Sequence, residues 1–91
     1  LRTGAVVISK TVRVTGAGEG TIAAPLEAVA KAHPDLSIGS YPFFALPDVY
    51  GASLVIRGRD PAEVATAVEA LVAALTEVGV TGIERLEAGA A

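Results

Sequence analysis

The sequence predicts an α+β fold: a ferredoxin-like βαββαβ sandwich, with a four-stranded antiparallel sheet carrying two helices on one face. Three observations predict it. The 91 residues are 52% hydrophobic and 19% charged, the length of one small domain with apolar content for one core. β-branched runs alternate with two stretches of helical periodicity, in the order strand, helix, strand, strand, helix, strand. The two β-α-β halves are of similar length, which places the first and third strands at the centre of the sheet.

Residues 5–14 form the first β-branched run and end at a glycine cluster. Val6, Ile8, Val12 and Val14 share one face, while Thr11 and Arg13 point the other way. Lys10 interrupts the apolar face, so a bulge or an exposed strand start is expected there. Gly16 to Gly20 read as a turn. Ile22, Leu26, Val29 and Ala30 then recur at helical spacing. Pro25 has no amide hydrogen and suits only a first helical turn, which sets the expected helix start at Ala23 or Ala24. Pro34 ends that helix after His33.

The second strand is expected at Leu36 to Tyr41. Pro42 must take the following residues out of the ladder or put them at a sheet edge. Residues 45–49 read as a loop. The third strand, Tyr50 to Arg57, turns Ala52, Leu54 and Ile56 inward and Ser53, Val55 and Arg57 outward. Asp60-Pro61-Ala62-Glu63 has the form of a helix start: a cap, a proline at the first position and a capping-box glutamate. Val64, Val68, Leu71, Val72, Leu75 and Val78 make the core stripe behind it, and Gly79 stops the helix. A last strand is expected at Thr81 to Leu86, with residues 87–91 a frayed tail. The ordered core is expected over 5–87 of a single domain spanning 1–91. The first residue is leucine and no methionine occurs, so the chain reads as a piece of a longer protein.

Composition excludes several functions. The absence of cysteine removes disulfides, thiol nucleophiles and thiolate metal sites, and a single histidine offers little toward a metal centre. No apolar run is long enough to span a bilayer. Ten acidic and seven basic residues give a net charge of −3, with the bases scattered between acids. Neither nucleic acid nor a membrane surface is therefore an expected partner, and a cytoplasmic location is expected.

Several local motifs carry both a chemical and a structural reading. Gly16-x-Gly18-x-Gly20 before a helix resembles a phosphate cradle, but Glu19 places a negative charge there and no P-loop lysine follows. A flexible turn is the preferred reading. Arg13 and Arg57, on the open face of the central strands, are candidates for binding an anion; solvated surface arginines are the alternative. The open strands carry Thr11, Ser53 and Val55 rather than stacking aromatics, which argues against RNA reading. Gly79-Val80-Thr81-Gly82 matches a nucleic-acid-clamping Gly-x-x-Gly as a string, yet it joins a helix to a strand and reads as a cap and turn. His33 has no partner suggested by spacing, and nothing resembles a catalytic triad. No catalytic or metal-binding residue is assigned. Tyr41-Pro42-Phe43-Phe44 holds three of the four aromatics. It is the candidate docking surface for a neighbouring domain, or else a hydrophobic lid over the sheet edge.

Two strings resemble a known family. Leu36-Ser37-Ile38-Gly39-Ser40-Tyr41-Pro42 is similar to the S-x-G-S-Y-P segment of short, molybdopterin-binding-domain members of the competence/damage-inducible protein A (CinA) family, and of related eukaryotic FAD synthases. Gly16-Ala17-Gly18-Glu19-Gly20 resembles the Gly-x-Gly-Glu after the first strand of the small domain in longer CinA members. Gly51 to Gly58 is similar to the strand that follows. Gly20 departs from the serine often found there, which puts a side-chain cap at that position in doubt.

The resemblance implies the small C-terminal domain of a CinA-like protein. Its absent N-terminal domain would bind molybdopterin, or hydrolyse a nucleotide pyrophosphate with a divalent metal. This chain would then be a non-catalytic accessory piece without a cofactor, packing on its own N-terminal domain or on a second copy. A small-ligand-sensing regulatory domain is the alternative. An acylphosphatase-type enzyme would need an arginine in the loop after the first strand, and that loop has none.

Overall fold

A computed structural model of the chain describes residues 7–45 and 49–86. The element order is β1 (Ile8–Thr15), α1 (Glu19–Ala32), β2 (Ser37–Ala45), β3 (Val49–Gly58), α2 (Pro61–Glu77) and β4 (Gly82–Leu86). The strands form one antiparallel sheet in the order β2-β3-β1-β4. This is the expected ferredoxin-like α+β sandwich, with the first and third strands central.

Side-chain alternation sorts the sheet into two faces. Val12 and Val14 of β1 and Ala52, Leu54 and Ile56 of β3 are buried beneath the helices. Ile22 and Val29 of α1 and Val64, Ala67, Val68, Leu71 and Leu75 of α2 complete that core. Ile38 and Ile83 close it at the two edge strands. Val78 does not belong to the stripe: it caps the helix and is 49% exposed.

α2 is built as its sequence indicates. Asp60 Oδ1 accepts from the Ala62 amide at 3.0 Å, and Pro61 occupies the first position. The Val80 amide donates to the Leu75 carbonyl and the Gly79 amide to that of Thr76, both at 3.0 Å, with Gly79 at φ +93°. Those two bonds and a left-handed glycine are a Schellman cap. The capping box is not completed, because Glu63 turns its carboxylate toward His33 instead.

Three expected boundaries are corrected. α1 starts at Glu19, behind an N-cap at Gly18 that offers no side-chain bond, so Pro25 lies inside the helix. Ile22, Pro25 and Val29 are all buried, and that shared apolar face carries the helix through the amide Pro25 lacks. β1 shows no bulge at Lys10: the register with β3 runs unbroken from Ile8↔Gly58 to Thr15↔Gly51. β2 does not end at Tyr41. It continues through Pro42 to Ala45 at the edge of the sheet, the second of the two places expected for that proline. The ends of the expected ordered core, the tip of the 45–49 loop and the C-terminal tail lie outside the described residues.

Candidate docking face

The sheet face away from the helices has no second layer among the described residues. The strand registers define its rows. Tyr41, Ser53, Arg13 and Glu84 form one row across all four strands, and Phe43, Gly51, Thr15 and Gly82 form the next. Gly51 leaves the second row low at its centre. The Phe43 ring lies across this gap, and the Arg13 guanidinium sits 4.8 Å from its centroid, within cation–π range. The Tyr41 ring folds back over Gly39, where a Cβ would lie 3.3 Å from the tyrosine oxygen. An aromatic strip capped by one arginine thus runs along β2 and onto β1.

Alternation splits the four-residue aromatic segment between the two faces. Tyr41 and Phe43 belong to the open face, Tyr41 being 52% exposed. Pro42 and Phe44 point to the helix side, opposite Ala52 and Tyr50. Phe44 is nevertheless 87% exposed there. The hairpin end therefore presents apolar side chains on both faces, and Val49 and Tyr50 extend the exposed set.

The two candidate anion-binding arginines share the open face but are not brought together. Arg13 pairs across the sheet with Ser53, whereas Arg57 lies four residues further along β3 and pairs with Ser9 and Ser37. At about 3.3 Å per residue that separation is about 13 Å. Arg57 lines an open groove of about 690 Å³ with Val7, Asp35, Leu36, Arg59 and Glu63.

One side-chain pair escaped the sequence reading. His33 Nδ1 lies 3.2 Å from Glu63 Oε2 and ties the end of α1 to the first turn of α2. The two residues are thirty positions apart and no spacing rule connects them; the capping-box pattern assigned Glu63 elsewhere. A second missed pair, Arg85 with Glu69, clips β4 to α2 and includes a 3.0 Å bond from Nη2 to Oε1. Arg85 holds the exposed Glu69 carboxyl below its usual range, first by hydrogen bonding and then by charge, and its own pKa is raised in return. Among the described residues no group of three acids or histidines is placed to hold a metal ion. No helix there is long and apolar enough to cross a membrane.

Comparison with known proteins gives a family. The family model described as "FAD synthase, middle domain" matches residues 6–83. No curated protein matches the chain. A solved structure, the de novo designed protein Foldit4, superposes with a TM-score of 0.72 over 89% of this chain and 92% of the designed one, at 14% identity; that likeness concerns the fold alone.

The family match overturns the CinA resemblance, and with it the molybdopterin-binding parent and the CinA-type accessory role, and gives the ligand-sensing alternative no support. Of the strings behind that resemblance, Leu36 to Pro42 leads into and along β2 and is similar to FAD synthases as well, while the residues of the other two answer to backbone needs. Gly18 caps α1 and Gly51 makes room between strands, so such strings recur wherever the geometry does.

Proposed function

Because the chain belongs to the FAD synthase middle-domain family, we propose that it is a non-catalytic docking module, whose open sheet face packs against an adjoining domain of its own polypeptide. The description of the family as a middle domain supplies the occupant: a middle domain has neighbours along its chain. The observation that carries the reading is the aromatic strip on an uncovered sheet, where Tyr41 is half exposed and Phe43 is stacked under Arg13. Aromatic and arginine side chains are the groups that most often dominate binding energy at interfaces.

The surface is suited to that role in physical terms. A cation–π pair holds Phe43 in place before any partner arrives, which lowers the entropy lost on association. The chain itself contributes neither a catalytic group nor a cofactor in this reading, and a cytoplasmic location belongs to the same proposal.

The test is association in trans. The isolated domain is titrated calorimetrically into the remaining domains of its parent protein. Tyr41→Ala with Phe43→Ala is expected to weaken binding at least about tenfold, since large truncations at an interface centre commonly exceed 1.4 kcal/mol. Equal affinity for the native and doubly substituted domains refutes the docking role of this face.

A further inference from the structure

We propose that Arg57, set between Ser9 and Ser37 on the open face and beside Arg59, binds a single oxyanion group, phosphoryl or carboxylate. The register carries the argument. Ser9 of β1 and Ser37 of β2 both pair with Arg57 of β3, so all three side chains stand in one row on the same face. Neighbouring strands are about 4.8 Å apart, which puts the two serines about 10 Å from each other with the arginine between them. The Arg57 stem rises between the two hydroxyls, so an oxyanion held by its guanidinium has a serine hydroxyl on either flank as a further donor.

The groups of this row are available. Arg57 and Arg59 are exposed, and neither makes an ion pair or hydrogen bond among the described residues. The same holds for the hydroxyls of Ser9 and Ser37. Of the three acids in the adjoining groove, two are engaged: Asp60 caps α2 and Glu63 faces His33. Asp35 is the remaining competing charge. Guanidinium with its planar fork suits phosphoryl and carboxylate groups equally, and the hydroxyls add neutral donors. The row lies about 13 Å along β3 from the Arg13–Phe43 strip and is titrated in the chain by itself, so its outcome is read separately from that of the docking test.

The experiment is an NMR titration of the amides of this chain with inorganic phosphate and, separately, with acetate, against sodium chloride at equal ionic strength. Saturable shifts are expected at Ser9, Ser37 and Arg57. Saturation by phosphate alone assigns a phosphoryl site, and saturation by acetate alone or by both assigns a site that accepts carboxylate. Arg57→Ala is expected to weaken binding at least tenfold, Asp35→Asn to strengthen it several-fold, and Lys31→Ala to leave it unchanged. Arg57 is exposed, so its substitution should keep the dispersed native spectrum. Shifts that stay linear, that match those of chloride, or that survive Arg57→Ala overturn the proposal.

Discussion

At the scale of single residues, the sheet is held to its shape by places where a side chain cannot fit. A Cβ at Gly51 would collide with the carbonyl oxygen of Val14 on the neighbouring strand, and one at Gly82 would approach that of Thr15 from the other side. These glycines flank Thr15 in one row, so β1 is gripped closely there by both of its partners. Gly51→Ala forces the central pair of strands apart. A destabilisation of about 3 kcal/mol or more is expected, read from urea unfolding; a stability within about 0.5 kcal/mol of the native value contradicts the collision. This constraint was not visible in the sequence, where Gly51 only opened a strand. The inward set Ala52, Leu54 and Ile56 was visible, because alternation in a half-covered strand leaves one face no choice. The His33–Glu63 pair was hidden for the opposite reason: it depends on where two helix ends meet, which no local pattern encodes.

At the scale of elements, local signals were read correctly where they agreed with packing and misread where packing overrode them. α2 has a cap, a proline, an apolar stripe and a terminal glycine that all indicate the same helix, and its ends are where those residues put them. α1 carries a proline against it, and the buried face through Ile22 and Val29 prevails over that single missing bond. β2 likewise absorbs Pro42 because its outer side has no strand to satisfy. The β4–α2 clip makes a pH-dependent prediction. Glu69 is ionised more readily in the folded protein, so whatever the clip contributes is present above its ordinary value of 4.5 and is lost as pH falls through the lowered folded value. Both partners are exposed, so the effect is small. Glu69→Gln is expected to change the unfolding midpoint slightly at neutral pH, and the difference shrinks as acid protonates the native carboxylate. A difference that stays constant as the pH is lowered would mean that the clip does not act through charge.

At the scale of the whole molecule, fold and function separate. The architecture was legible because six elements in a fixed order leave few ways to bury two helices on one sheet. The same architecture is reached by a designed protein at 14% identity, which makes plain how little the fold says about the task. Family membership came from the match over residues 6–83; the Leu36–Pro42 string resembles CinA proteins and FAD synthases alike and did not choose between them. The candidate face lay between these extremes: its aromatics were conspicuous in the sequence, but their division between two faces, and the arginine stacked on Phe43, required the strand register.

The docking account is tested most directly by amide hydrogen exchange in the parent polypeptide, compared with the isolated domain. The account predicts that the amides of Gly39 to Tyr41, Phe43 and Phe44, on the outer strand of the sheet, exchange more slowly only when the adjoining domain is present. It also predicts that Tyr41→Ala with Phe43→Ala removes that extra protection. Identical exchange along β2 in the parent and in the isolated domain would contradict it.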